Sequence, residues 1–158
     1  MDLPEEVANR YTRTRYHQAV MKEGQWKHAV QGYLASINYA DDLIGQLLNA
    51  LNDSEYAENT IVVLWSDHGY HLGEKNRVAK QALWHRATRV PLVIAAPTAA
   101  GGVKRGTKTG ASVGLIDMYP TLLEMAGLPG NKANEGVSLA KLLKNPEAKW
   151  DRVVPIKL

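Results

Sequence analysis

Two short apolar runs constrain this chain's fold more than any other feature. They are Thr60-Ile61-Val62-Val63-Leu64-Trp65-Ser66 and Val90-Pro91-Leu92-Val93-Ile94-Ala95-Ala96. Both are rich in β-branched side chains, and neither alternates with polar residues. A strand with no polar face has nothing to offer water, so the runs predict strands buried on both faces of a parallel sheet. Pro97 stops the second run.

Helical signals surround these runs. Over residues 31–52, Leu34, Ile37, Asp41, Ile44, Leu48 and Leu51 recur at spacings of three and four, and all but Asp41 are apolar. Leu43 and Leu47 widen the stripe, which predicts an amphipathic helix with that face inward. Asn52-Asp53-Ser54 marks its end. A short helix is expected within Lys80 to Thr88. Another should start at Asp117 as N-cap, with Pro120 in its first turn, Leu122, Leu123 and Met125 facing inward, and Gly127 as C-cap. Residues 136–144 read as a short helix or turn, 98–110 as a loop or hairpin, and Val153 to Leu158 as the beginning of a strand. Pro4 with Glu5-Glu6 suits a helix's first turn. Helices alternating with buried strands make an α/β pattern. The expected organisation is an N-terminal helical or irregular segment at 1–30, an α/β core at 31–145, and the start of a further segment at 146–158.

Several function classes are excluded. A chain of 158 residues suits one domain and buries about 70% of its unfolded surface by the usual scaling. The net charge is +3, and the basic residues are dispersed except for Lys104, Arg105 and Lys108 in a Gly-rich loop. A nucleic-acid surface needs a basic stripe or patch, so no nucleic-acid partner is expected. No run of 18 apolar residues offers a membrane span, and no charged-then-apolar signal segment opens the chain. A longer parent chain would leave room for a signal elsewhere. With no cysteine, disulfides and thiolate metal sites are impossible, and any metal must use Asp, Glu, His, Asn or carbonyl ligands.

The candidate chemistry follows the first run. In open α/β sheets, sites lie beyond the carboxyl ends of strands. Asp67-His68-Gly69 sits there, offering a hard anionic oxygen, an imidazole nitrogen and a residue that lets the backbone turn sharply. Two adjacent ligands can grip a cation from one side only. Calcium takes six to eight ligands, so the pair forms a half-site. Taken by itself the tripeptide also reads as an ordinary Asp/Gly turn. Lys80 is placed to reach back over the strand end as a point charge for an anion, and reads equally as a solvated lysine. His71 follows the Gly by two and either faces the cleft or is polar surface. Ser66 is not in a Gly-x-Ser-x-Gly elbow, so a hydrolase triad has no support, and there is no Gly-rich phosphate loop.

The stretch from Asn59 through Ser66-Asp67-His68-Gly69-Tyr70-His71-Leu72-Gly73-Glu74 to Lys75, then Lys80 to Ile94, closely resembles the type I sulfatases of the alkaline phosphatase-like superfamily. It looks most like their iduronate-2-sulfatase-like branch. The helix around Tyr33-Leu34-Ala35-Ser36-Ile37-Asn38-Tyr39-Ala40-Asp41 and the segment Val113 to Leu128, followed by Glu135 to Leu139, resemble that branch too. The resemblance spans roughly residues 25–145, and its three motifs occur in order. It implies an α/β fold: part of a sulfatase-like mixed sheet flanked by helices, with an N-terminal portion missing. It implies a divalent cation, usually calcium, with Asp67 and His68 as two of its ligands and two further Asp elsewhere. It implies that Lys80 contacts sulfate, and it draws Tyr70 and His71 to the substrate cleft.

One departure is decisive. The family's nucleophile is a formylglycine made from Cys or Ser in Cys/Ser-x-Pro-x-Arg. The residues two before this chain's seven prolines are Asp2, Arg89, Ala95, Met118, Gly127, Lys144 and Val153. None is Cys or Ser, so formylglycine is absent. The expectation is therefore a fragment of a sulfatase for a sulfated small molecule or sugar, inactive alone. Its partners would be a missing N-terminal half or a second copy, and the family points to a periplasmic or secreted parent. The alternatives are a non-catalytic sulfatase-like binding module, or a phosphoester or phosphonate hydrolase of the same superfamily.

Overall fold

The computed structural model describes Pro4, Glu6, residues 14–97 and residues 103–156. The described residues fall into two units: one draws on positions up to Ser54 and on His68–Pro91, the other on Glu55–Asp67 and on Leu92 onward. The helix expected at Pro4 lies, apart from Pro4 and Glu6 themselves, outside the described residues, as do 98–102 of the expected loop.

In the first unit, helix α1 (Arg15–Lys22) is capped by Thr14, whose Oγ1 accepts the His17 N–H at 3.3 Å. The chain breaks at Glu23-Gly24 and resumes as α2 (Trp26–Asn52). This is the helix expected at 31–52. It starts five residues earlier, at Trp26, and runs through Gly32. Its apolar face does not pack inward. No residue of α2 is buried, and Leu34, Ile37 and Leu47 are 56%, 53% and 70% exposed. The periodicity gave the helix correctly but overstated its burial: Ile44 and Leu51 are only half-buried, and the rest of the stripe is exposed.

The same unit holds a small hairpin, β2 (His71–Leu72) and β3 (Val78–Ala79), paired antiparallel with His71 opposite Ala79 and Leu72 opposite Val78. Its loop needs Gly73, whose φ is +107° and whose added Cβ would lie 2.6 Å from the Trp26 ring. Short helix α3 (His85–Thr88) occupies the end of the segment expected to be helical. Val78, Ala82 and Ala87 are this unit's buried apolar side chains among the described residues.

The second unit contains the two apolar runs as β1 (Val62–Trp65) and β4 (Leu92–Ala95). They pair with each other, but antiparallel, with Val62 opposite Ala95 and Trp65 opposite Leu92. The expectation of a parallel sheet buried on both faces is thus corrected. Leu64 and Val93 form one cross-strand pair, and both are exposed, at 41% and 54%. Apolar composition marks a strand but not its direction, which depends on the path of the chain between the strands.

Beyond β4, a 3-10 turn (Leu115–Asp117) leads into α4 (Met118–Met125), and α5 (Ala140–Lys144) follows. Gly127 has φ +68°, one residue past the Ala126 cap. Asp117 stands at the N-cap position of α4, as expected, but its side chain makes no capping hydrogen bond to that helix. It is fully buried, and its carboxylate accepts the N–H groups of Gly114 and Val137, each at 2.9 Å, and pairs with Arg152. Thr121 extends this polar core, accepting the Leu139 N–H at 2.8 Å. The unit's buried apolar side chains are Ala96, Leu139, Ala140 and Leu142. Val153 to Ile156 form no strand, and Val153 is 87% exposed. No described helix is long and apolar enough to cross a membrane.

Candidate functional site

The first unit has a cleft of about 340 Å³ lined by Tyr16, His68, Tyr70, Val78, Ala79, Lys80 and Gln81. The hairpin delivers most of these residues. Extending the β2–β3 register by one step places Tyr70 opposite Lys80, so the residues before β2 and after β3 share one end of the ladder.

Gly69 fixes where this strand of residues runs. Its N–H donates to Ala87 O at 2.8 Å, and a Cβ there would lie 2.0 Å from Arg86 O. The glycine in Asp67-His68-Gly69 is therefore required for close approach to α3. Its φ is not in the left-handed region, so the sharp turn expected of it is not what makes it necessary.

His68 and Lys80 meet directly. The imidazole Nδ1 is 2.9 Å from the Gly69 carbonyl oxygen. A carbonyl only accepts, so Nδ1 carries the proton. That leaves Nε2 to accept from the Lys80 ammonium, at 2.6 Å. The Lys80 side chain is exposed at the mouth of the cleft.

Tyr70 is braced from behind. The Tyr33 ring on α2 stacks on it, with centroids 5.4 Å apart and planes at 24°. His71 is placed differently. It is 1% exposed and does not line the cleft. Its Nδ1 lies 3.3 Å from Glu74 O, and its Nε2 is buried without a hydrogen-bond partner. Asp67 follows β1 at the end of the Glu55–Asp67 segment and is exposed.

Glu74 holds the hairpin loop. Its carboxylate accepts the Leu72 N–H at 2.8 Å and meets Arg86 Nε at 3.3 Å. Burial pushes the Glu74 carboxyl up, but the Leu72 and Glu74 backbone N–H groups, with Arg86 and His71, outweigh it and hold the carboxyl below its ordinary value.

The donor set fits a hard cation in part. A metal-bound His usually donates its other ring N–H to a carbonyl or carboxylate, which the Gly69 carbonyl provides here. A cation on Nε2 would displace the Lys80 ammonium, and the exposed, flexible lysine stem allows that. Among the described residues no group of three or more His, Asp or Glu is placed to hold a metal ion.

The structure brings His68, Tyr70 and Lys80 together in one cleft, along with Tyr16 and Gln81, which the sequence did not single out. Thr14 ahead of Arg15-Tyr16 is a readable N-cap. It would have placed α1, though not the Tyr16 ring in the cleft.

These features define an α/β protein with a cationic, aromatic-walled cleft of small-molecule size. The family model described as Sulfatase matches residues 2–128, and the chain belongs to the sulfatase family. It is 45% identical over 131 residues to a sulfatase of Formosa agariphila, covering 83% of this chain and 25% of that protein. It is 38% identical over 120 residues to the iduronate 2-sulfatase of Mus musculus, covering 63% of this chain and 22% of that protein. Among solved structures it resembles a protein in complex with its substrate D-glucosamine-2-N,6-O-disulfate. The TM-score is 0.75 at 29% identity, covering 93% of this chain and 29% of that one. The fold class is the mixed α/β arrangement of the alkaline phosphatase-like sulfatases. The chain spans about a quarter of the length of the curated relatives it matches.

Proposed function

We propose that this chain carries the sulfate-recognition portion of a sulfatase acting on a sulfated sugar, of the iduronate-2-sulfatase-like branch. The observation that carries the reading is the Lys80 Nζ to His68 Nε2 contact of 2.6 Å in the cleft. Lys80 supplies a positive point charge on a flexible stem for a sulfate oxygen. Its exposed stem lets the ammonium follow the anion.

Asp67 and His68 would hold a divalent cation, calcium by resemblance, together with ligands from beyond the described residues. When bound, that ion acts as a Lewis acid on sulfate oxygens. His68 presents Nε2 because Gly69 O orients the ring. The likeness to a protein whose substrate is a disulfated glucosamine supports a sugar ester. The 38% identity to an iduronate 2-sulfatase supports the branch.

The sequence contains no Cys/Ser-x-Pro-x-Arg, so the chain alone supplies no nucleophile and should turn over no sulfate ester. Titration calorimetry with inorganic sulfate tests the recognition reading. Binding that is lost in Lys80→Ala supports it. Binding that is equal in the variant, or absent from the parent chain, sinks it. Turnover of an aryl sulfate by the purified chain would overturn the claim of inactivity.

A further inference from the structure

The cleft's lining is divided. Lys80, with the His68 imidazole against it, makes a polar part with one positive charge, whereas Tyr16, Tyr70, Val78 and Ala79 present rings and short apolar side chains. An inorganic anion would use only the first part. A ligand with a sulfate on a sugar ring would use both, because the C–H face of a sugar packs on an aromatic ring. The volume, about 340 Å³, lies at the small end of ordinary ligand pockets, about 300–1,000 Å³, and suits a single ring.

Tyr16 is held at this place by a contact remote in sequence. Thr14 Oγ1 donates to Val78 O at 3.2 Å, and the Val78 N–H approaches the same oxygen at 3.4 Å. That clasp ties the start of α1 to β3. Two residues after Thr14 comes Tyr16, and two residues after Val78 comes Lys80. The clasp therefore brings the stretch that carries Tyr16 to the cleft that Lys80 also lines. On the neighbouring position, the His17 ring meets Trp26 edge-on at 5.6 Å, and Trp26 in turn packs over Gly73. The Tyr16 side chain itself is 58% exposed, which leaves its ring open to a ligand.

We infer that Tyr16 is a specificity-determining residue of the His68–Lys80 cleft, stacking on the sugar ring whose sulfate Lys80 holds. This rests on the sulfate-recognition reading above. Tyr70, braced by Tyr33, forms further aromatic lining of the same cleft.

The test is calorimetric titration of the chain with two probes, inorganic sulfate and glucosamine 6-sulfate. The parent chain should bind the sugar sulfate more tightly than the ion. Tyr16→Ala should weaken the sugar sulfate by about twofold to twelvefold, the range of a single aromatic contact, and leave inorganic sulfate unchanged. Tyr16→Phe should restore the sugar affinity, since it keeps the ring. Circular dichroism checks that the variants fold, and Lys80→Ala should weaken both probes. Equal weakening of both probes by Tyr16→Ala, no weakening of either, or a parent chain that binds the sugar no better than the ion overturns the role of Tyr16 and leaves the anion site standing. No binding of either probe overturns both.

Discussion

The Arg152 guanidinium donates to Oδ1 of Asp117, a carboxylate with no solvent exposure, from 35 residues further along the chain. The same carboxylate accepts from Gly114 and Val137. One side chain thus gathers three stretches that the backbone separates. Asp117 holds the N-cap position of α4, but these partners use its carboxylate in place of the α4 N–H groups.

Removing either member of this pair should be costly. Breaking a buried ion pair by deleting one partner costs about 3–5 kcal/mol, because the other charge or the freed N–H groups stay buried. Asp117→Ala should therefore lower the urea midpoint sharply, and Arg152→Ala should lower it less, since the Asp117 carboxylate then keeps its two backbone N–H donors. A midpoint unmoved in Asp117→Ala would show that the hub does not hold the unit together.

Gly69→Ala should destabilise the hairpin unit. Its Cβ would lie 2.0 Å from Arg86 O, and the obstacle is backbone, which moves reluctantly. Overpacking of this kind costs about 1–3 kcal/mol, occasionally more. Hydrogen exchange should show faster opening around Ala87, whose carbonyl accepts the Gly69 N–H. Unchanged protection there would contradict the close approach.

Acid should loosen the hairpin loop through Glu74. Its folded value lies below its ordinary one because the Leu72 and Glu74 N–H groups, Arg86 and His71 outweigh the burial that opposes them. A lowered carboxyl contributes stability above its unfolded value and loses it as pH falls through the folded one. Glu74→Gln should thus be less stable than the parent at neutral pH and converge with it in acid. Denaturation at both pH values checks this, and a gap that stays constant refutes it. The effect should be small, because the carboxylate is 43% exposed and solvent screens it.

The uncovered face of α2 should make the isolated chain associate. Leu34, Ile37 and Leu47 lie exposed along one helix, and apolar patches of this kind drive association. Light scattering should show species larger than a monomer, with Leu34→Lys and Leu47→Lys together shifting the population downward. A monodisperse monomer at high concentration would count against the prediction.

Much of the fold was legible residue by residue. Periodicity placed α2, β-branched runs placed β1 and β4, and Gly127 closed α4. The cleft was partly legible, because His68, Tyr70 and Lys80 lie within a motif whose spacing could be recognised. Tyr16 was not, because the Thr14–Val78 clasp that delivers it spans 64 residues. His71 looked equivalent to Tyr70 in sequence, yet one is buried and the other lines the cleft. Adjacent residues on a strand point to opposite faces, and only the pairing fixes which face is which.

The sequence by itself determined where α2, β1, β4 and α4 form, that it offers no thiol, and that it contains no Cys/Ser-x-Pro-x-Arg. Those properties depend on local backbone preference and on which atoms are present. The tertiary structure decided that β1 and β4 run antiparallel, that the Asp117 carboxylate anchors a core, and that Tyr16 lines the same cleft as Lys80. Each is a pairing between residues distant in the chain. Local propensity carries no information about such pairings, because they depend on which surfaces meet once the backbone has closed its loops.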